Sequence, residues 1–187
     1  MTEQTHSLPD VFVNAHTARS FPPGELDTNL LAEVWNEIKF GPTAFNSTPL
    51  RLLVVSPAQR QRLVERVMEG NQDRVAEAPL SVVLAYDAAL ADEMAERGLR
   101  AAEMVRSNAE KIARENAWLQ FGYLVVALRA RGLGVGPMTG IDAAGIKEEF
   151  LADSSWVPFA VLNIGLPDTA ASRRAPRPEA RTVISEV

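Results

Sequence analysis

Residues 132–142 read GLGVGPMTGID, and this stretch decides between the fold classes that alternating helices and strands allow. A dinucleotide-binding fingerprint reads G-x-G-x-x-G after a strand and at the start of a helix. Here the glycine spacing differs, and a segment rich in Ala, Glu, Arg and Leu precedes it. The stretch is either a helix stop followed by a turn, or a backbone that a flat ligand approaches closely because glycine has no side chain.

Helical and β-prone segments lie on both sides of this stretch. Apolar spacing and capping residues predict helices over residues 27–40 and 56–70, two helices between 88 and 131 with a break at Gly98, and a short helix at 142–151. Strands are predicted at 52–55, 80–85 and 159–164, the last two central in one sheet, with a final β-prone run at 182–187. Pairs of helices are predicted between strands, where a doubly wound fold has a single crossover helix. We therefore expect a mixed α+β fold, in one domain that covers residues 1–187.

The composition excludes several classes of function. The chain has 187 residues, no cysteine and a formal net charge of -5. Thiolate nucleophiles and zinc–sulfur sites are therefore excluded, and the clustered Lys and Arg of a nucleic-acid surface are missing. No apolar run reaches the roughly 20 residues that span a bilayer, and the start has no export signal. We expect a cytoplasmic protein that binds neither nucleic acid nor membrane.

Two groups of polar residues could bind a ligand or could be purely structural. Residues 41–51 read GPTAFNSTPLR between a predicted helix and a strand, and form either a ligand-gripping loop or a self-capped turn. Asn116 and Gln120 lie four residues apart on the core-directed face of the long helix. Buried amides need partners, which a flavin, a backbone carbonyl or water would each provide. Asn71, just after Gly70 at an expected helix end, is typical of a local cap.

Basic residues are concentrated near both chain ends. The polar and basic residues there are His16, Thr17, Arg19, Arg173, Arg174 and Arg177. If they converge they would bind a phosphate, because the forked guanidinium suits bidentate contacts; otherwise they are a solvated charge run. The sequence has no nucleophile elbow and no carboxylate cluster with metal-ligand spacing, and His6 and His16 are its only imidazoles. Any chemistry would therefore belong to a bound cofactor.

Taken in order, these segments resemble the nitroreductase family of flavoproteins, and within it the short branch that includes malonic semialdehyde reductases. The matching motifs cover nearly all the chain: His16-Thr17-x-Arg19-x-Phe21, residues 41–51, Asn71 ahead of Ala78-Pro79, residues 132–142, and Asn163-x-Gly165-x-Pro167. The resemblance implies a three-layer α+β fold with a small central mixed sheet flanked by helices. It also implies a homodimer with FMN bound at the subunit interface.

The resemblance assigns residues to the FMN site. The phosphate side would be formed by His16, Thr17 and Arg19 with Arg174 or Arg177. The loop reaching the flavin from the partner subunit would contribute Pro42, Thr43, Ala44 and Asn46. The amides near the ring would be Asn71, Asn116 and Gln120, and the strand on its reactive side would be Pro137, Met138, Thr139 and Gly140. Phe45 and Met138 would shape the substrate pocket.

Two short segments depart from the family pattern. Ala15 and His16 stand where many relatives have at least one arginine, so phosphate binding would depend on Arg19 and the tail. Thr48-Pro49-Leu50 replaces a frequent glutamine, proline and tryptophan, a change that the semialdehyde-reductase branch partly shares.

The resemblance implies an enzyme that uses NADH or NADPH in a ping-pong cycle through FMN, with malonic semialdehyde reduced to 3-hydroxypropionate. A broader reductase of nitroaromatics, quinones or conjugated alkenes and enals is the alternative within the enzyme class. A flavin-binding protein without turnover, or a domain without a cofactor, would be the alternative outside it.

Overall fold

The computed structural model describes residues 8–167 and 174–187, and helices pack there on both faces of one sheet. The strands are β1 (Leu50–Val55), β2 (Leu80–Asp87), β3 (Gly134–Met138) and β4 (Trp156–Gly165), in the spatial order β1-β2-β4-β3. The helices are α1 (Leu8–Phe12), α2 (Asn29–Ile38), α3 (Arg60–Val64), α4 (Glu69–Ala76), α5 (Leu90–Glu96), α6 (Ala102–Val105), α7 (Ala109–Ala130), α8 (Ala143–Phe150) and α9 (Ala180–Val183). None of these helices is both long and apolar enough to cross a bilayer.

The sheet is antiparallel along all of these strand pairs. As predicted, the strands nearest the sequence runs 80–85 and 159–164 are central, and every residue of β2 is buried. The prediction of an α+β fold is confirmed, whereas the expected mixture of parallel and antiparallel strands is wrong for the described strands. The parallel pairing in this region is an isolated bridge between Thr17 and Val135.

Alternate side chains of β2 point to opposite faces of the sheet and contribute to the hydrophobic core on each face. Val82 and Leu84 pack on the face covered by α2 and α7, where Leu124 is fully buried. Val83 points the other way, into a core with Ile146 beneath α3, α4 and α8. Successive residues of a strand face opposite sides, so one apolar run is buried by two helical layers. The predicted three-layer arrangement is therefore confirmed.

The predicted helix over residues 56–70 is wrong in extent. A 3-10 turn at Pro57–Gln59 leads into α3, which ends at Val64, and a bend separates it from α4. Tertiary pairing causes the break, because Val67 bridges Ile141 and Met68 N donates a hydrogen bond of 3.0 Å to Gly140 O. Asn71 consequently lies in the first turn of α4 and not beyond a helix end.

Two other segments also differ from expectation. Residues 88–131 form α5, α6 and α7 instead of two helices, although Gly98, with a φ of +73°, does mark the predicted break. Residues 182–187 pair with none of the four strands, and the chain forms α9 at Ala180–Val183. The side chains of this tail are exposed, so no described core selects an extended strand there.

Glu149 joins α8 to the segment that contains α3. Its Oε1 accepts a hydrogen bond of 2.6 Å from Arg62 Nε, and its Oε2 accepts one of 2.6 Å from Arg66 Nε. Hydrogen bonds from Arg66 and Arg62 hold the pKa of Glu149 below its usual value. The folded chain therefore favours the carboxylate more than the unfolded chain does. This stabilisation is present at neutral pH and is lost as the pH falls through the range in which Glu149 is protonated.

We predict that Glu149→Gln lowers the urea midpoint of unfolding at about pH 7, and that the difference from the unchanged chain shrinks as the pH approaches about 3. Glu148→Gln is the control, because the neighbouring Glu148 is exposed and should change the midpoint little at either pH. Denaturation curves at both pH values measure the effect. An equal loss for Glu149→Gln at both would contradict the account.

The N-terminal segment crosses the outer edge of β3 in close contact. Ala18 N donates a hydrogen bond of 2.9 Å to Val135 O, next to the Thr17–Val135 bridge. A Cβ on Gly136 would lie 2.6 Å from the carbonyl oxygen of Ala18. Glycine is therefore required at this position for the two backbones to approach.

We predict that Gly136→Ala lowers the free energy of unfolding by about 1–3 kcal/mol, because the methyl group must push the N-terminal segment away from β3. Gly24→Ala is the matched control, since a Cβ there meets no atom within 4 Å. Urea denaturation measures both variants. Equal stability of the two would show that the close approach is not a constraint.

Candidate functional site

The edge formed by β3 and its extension to residue 142 brings together three of the sequence-predicted groups. Thr17 lies against Val135 at one end of this edge. At the other end, Asn71 Nδ2 donates a hydrogen bond of 3.2 Å to Gly140 O, which also accepts from Met68 N. Residues 16–19, Asn71 and residues 137–140 therefore share one edge of the sheet, although they are far apart in sequence.

Gly140 permits the close contact with α4. A Cβ there would lie 2.9 Å from Asn71 Nδ2 and 2.9 Å from Met68 Sδ. Between the two anchoring contacts, the outer side of residues 136–139 pairs with no strand in the described part of the chain. Such a sheet edge presents unpaired backbone groups that can accept a ligand or a strand. Residues 136–139 are therefore open on their outer side, between the contact at Val135 and the contact at Gly140.

Met138 contributes backbone rather than side chain to this edge. Its side chain is only 7% exposed and packs in the core with Val161 and Ile146. Thr139, by contrast, is exposed. The sequence-based assignment of the Met138 side chain to the substrate pocket is therefore not supported, because strand alternation directs it into the core beneath α8.

Two arginines hold the N-terminal segment through its backbone carbonyls. Arg174 of the tail donates to three backbone carbonyls of residues 12–15, with Ala15 O at 2.7 Å. Arg129 of α7 donates to two carbonyls of residues 11–16, with His16 O at 3.4 Å. The expected meeting of the tail with the N-terminal segment thus occurs, and Arg129 joins it.

The charges of this pair are not neutralised by a salt bridge to any described carboxylate. Arg129 Nε is buried and has no hydrogen-bond partner among the described residues. Burial, and then the positive charge of Arg174, hold the pKa of Arg129 below its usual value. A negative charge placed here would offset both effects, because Arg129 is partly buried and no described carboxylate pairs with it.

The remaining predicted phosphate residues have different surroundings. Arg177 donates only to the carbonyls of Ala175 and Pro176 among the described residues, so Arg174 is the tail arginine that reaches the N-terminal segment. Arg19 and Thr17 are exposed, and His16 is half-buried. Arg173, like His6, lies outside the described residues.

Asn116 and Gln120 hold the loop that precedes β1. Asn116 Oδ1 accepts a hydrogen bond of 2.7 Å from Ala44 N, and its Nδ2 donates to Ile112 O at 2.9 Å. Gln120 Oε1 accepts one of 3.0 Å from Leu50 N, while its buried Nε2 has no partner among the described residues. Of the partners considered from the sequence, backbone groups engage both polar atoms of Asn116. The residue holds the loop, and one N–H of its amide and one lone pair of its oxygen are still available to a ligand.

The loop at residues 42–49 lies at the opposite edge of the sheet from β3. It leads into β1, which is three strand spacings from β3, or about 14 Å. Ala44, Phe45 and Asn46 are exposed on it, whereas Thr43 Oγ1 accepts a 3.3 Å hydrogen bond from Thr48 N inside the loop. Within one chain, the loop residues and the β3 edge therefore belong to separate surfaces.

The sequence alone did not indicate the roles of Arg129 and Arg97. Arg129 follows an apolar run on α7, and a cation in that place is a detectable sign of a buried contact. Arg97 directly precedes Gly98 at the end of α5, where a basic residue is ordinary. Only the fold reveals that the guanidinium of Arg97 contacts the backbone of residues 46–47.

Known proteins resemble this chain over most of its length. The model of the nitroreductase family matches residues 13–166. A Streptomyces griseus protein with the provisional name NADH dehydrogenase/NAD(P)H nitroreductase is 40% identical over 95% of this chain and 94% of its own. A Streptomyces coelicolor protein with the same type of name is 39% identical over 89% of each chain.

Solved structures share the fold at lower sequence identity. A nitroreductase family protein from Streptococcus pneumoniae superposes with a TM-score of 0.84 at 20% identity, over 96% of this chain and 100% of that chain. A provisionally named nitroreductase from Exiguobacterium sibiricum, crystallised in complex with FMN, superposes with a TM-score of 0.82 at 18% identity over the whole of both chains. Because the family model and these close relatives agree over almost all of its length, the chain belongs to the nitroreductase family of oxidoreductases.

Proposed function

We propose that this chain is an FMN-dependent NAD(P)H oxidoreductase that works as a homodimer on small electrophilic acceptors. Family membership and the NAD(P)H nitroreductase names of the Streptomyces relatives support the reaction class. The FMN bound to the Exiguobacterium neighbour supports the cofactor. The observation that carries the proposal is the separation of the expected flavin-binding residues between two opposite edges of the sheet.

The phosphate end of FMN fits the segment at residues 11–19. Arg129 and Arg174 meet this segment without a carboxylate partner in the described chain, and the partner-free Nε of Arg129 is buried. A phosphate dianion suits such a pair because guanidinium donors form strong charge-assisted hydrogen bonds. Thr17 and Arg19, exposed beside it, would complete the donor set in place of the arginine missing at Ala15.

The ring end fits the β3 edge. Residues 136–139 offer backbone without a strand partner in the described part, and Asn71 and Gly140 are already held together next to it. Backbone donors and acceptors along an edge suit the polar rim of a flat heteroaromatic ring. Glycine at 136 and 140 keeps the N-terminal segment and α4 close on either side.

Bound FMN would supply two-electron chemistry, by which hydride from NAD(P)H is passed on to the acceptor. The protein would bind the phosphate and hold the ring against the β3 edge. Water provides the proton, since we assign no side chain to general acid catalysis.

The position of the loop supports the proposed homodimer. Phe45 is 46% exposed at the tip of a loop that faces away from its own β3 edge. A second copy would bring that loop, with Pro42, Thr43, Ala44 and Asn46, to the flavin of its partner. Trp118 and Leu119 leave an apolar face of α7 exposed at 40% and 44%, which a partner subunit would cover. The whole chain would then act as one flavin-binding unit in the cytoplasm.

The acceptor that we favour is a nitroaromatic or quinone, and malonic semialdehyde is the second candidate. The names of the compared relatives specify nitroreductases and mention no semialdehyde. An exposed aromatic side chain such as Phe45 of the partner loop would stack on a flat acceptor.

Steady-state kinetics test the reaction. We predict parallel double-reciprocal lines for NADPH or NADH against a quinone, because donor and acceptor use one site in turn. Turnover with a quinone or nitrofuran should exceed turnover with malonic semialdehyde. Intersecting lines would contradict the shared site, and faster turnover with the semialdehyde would reverse the choice of acceptor.

Two substitutions test the phosphate assignment. We predict that Arg19→Ala and Arg174→Ala each weaken FMN binding by roughly tenfold or more, since each removes a charge-assisted contact. Arg106→Ala is the control, because Arg106 pairs with Asp92 and Glu103 away from this segment. Quenching of FMN fluorescence measures the dissociation constants. Equal affinity in all three variants would overturn the assignment.

A further inference from the structure

The loop at residues 42–49 has a backbone conformation that its residues do not favour. Phe45, Asn46 and Thr48 have φ values of 58°, 54° and 46°. Such left-handed conformations are uncommon for residues other than glycine, and they persist where the surrounding structure enforces them. Aromatic and β-branched side chains, as in Phe45 and Thr48, are among the least suited to them.

Burial of side chains does not enforce this conformation at the tip. Ala44, Phe45 and Asn46 are exposed, and the side chain of Ser47, which is fully buried, has no hydrogen-bond partner for its hydroxyl among the described residues. A buried hydroxyl without a partner disfavours the folded loop. The tip must therefore be held by its backbone.

The guanidinium of Arg97 supplies the contacts at the middle of the loop. It donates to Ser47 O at 2.7 Å, to Asn46 O at 3.3 Å and to Thr48 Oγ1 at 2.9 Å. Glu93, one turn earlier on α5, accepts a hydrogen bond of 2.8 Å from the same guanidinium and fixes its direction. Four acceptors thus surround one planar donor group.

The ends of the loop are held by different residues. Asn116 binds Ala44 N at the start of the tip, Gln120 binds Leu50 N after it, and Tyr123 OH donates to Pro42 O at 2.9 Å. These three side chains come from α7, whereas Arg97 comes from the end of α5. Removal of Arg97 would leave both ends attached and Thr48 O still bound by Arg51, while the carbonyls of Asn46 and Ser47 would lose their side-chain donor.

We infer that Arg97 is a positioning residue that sets the shape of the loop presented to the partner's flavin, and with it the place of Phe45 at the substrate pocket. This inference rests on the proposed function, in which the loop acts across the dimer interface. A guanidinium is needed because its planar fork reaches adjacent carbonyls at once, which the single ammonium of lysine does not.

The test compares Arg97→Ala, Arg97→Lys and the control Arg106→Ala, an arginine of the same region that contacts carboxylates but not the loop. Amide hydrogen exchange of the FMN-free full chain gives the first measurement. We expect the amides of residues 43–48 to exchange roughly tenfold faster in Arg97→Ala, with partial recovery in Arg97→Lys and no change in Arg106→Ala. Unchanged exchange in Arg97→Ala would overturn the inference without reference to FMN.

The second measurement uses the FMN-loaded protein. We expect Arg97→Ala to weaken FMN binding and to raise KM for a quinone, each by roughly fivefold to tenfold, while the rate of flavin reduction by saturating NADPH changes little. Faster loop exchange with unaltered FMN affinity and KM would reject the functional role of Arg97. Failure of the unsubstituted chain to bind FMN would instead reject the proposed function, and the exchange measurement would still decide whether Arg97 holds the loop.

Should Arg97→Ala prove too unstable to purify, Glu93→Gln provides the same test in milder form. It leaves the Arg97 side chain in place and removes the charge that orients it. We expect a smaller increase in loop exchange and a smaller rise in KM than for Arg97→Ala. No increase in either would count against the inference.

Discussion

The pairing of β3 with segments outside the sheet is the constraint on which the candidate site depends. Ala18 binds Val135 at one end, and Asn71 and Met68 bind Gly140 at the other. Because glycine occupies positions 136 and 140, both neighbouring segments approach the strand more closely than any side chain would allow. The N-terminal segment, α4 and residues 136–139 thereby form one edge, whose middle has no strand partner on its outer side among the described residues.

A second set of contacts fixes the opposite edge of the sheet. The long helix α7 crosses the core and binds both ends of the loop before β1 through Asn116 and Gln120. At its other end, Arg129 of the same helix binds the N-terminal segment. One helix therefore positions residues at both edges, and a movement of α7 would shift both. In the proposed homodimer, the two edges of one chain would contribute to two different sites.

The sequence predicts the layers of the fold better than the ends of its elements. Apolar runs and caps located β2, β4, α8 and the long helix, because burial and capping act locally. The break after α3 was missed, since it depends on pairing of Val67 with Ile141, a contact between residues far apart in sequence. The tail run at 182–187 has β-prone residues but no described strand to pair with, and local propensity alone does not form a sheet.

The sequence suggested which residues belong to the candidate site, but not which contacts these residues make. The order of motifs identified the family, and the structure brings residues 16–19, Asn71 and residues 137–140 to one edge of the sheet. It did not reveal that the amide of Asn116 is occupied by Ala44 N, that Met138 points into the core, or that Arg129 and Arg97 bind backbone carbonyls. Each of these facts depends on which backbone atoms the fold brings within reach, and no residue pattern encodes that directly.

The most direct test of the account is the visible absorbance of the purified chain after incubation with FMN and gel filtration, followed by NADPH and NADH without oxygen. The account predicts that flavin bands elute with a dimer at about one FMN per chain and bleach when a nicotinamide is added. Flavin that elutes free of the protein, or that stays bound and oxidised under an excess of both nicotinamides, would contradict it.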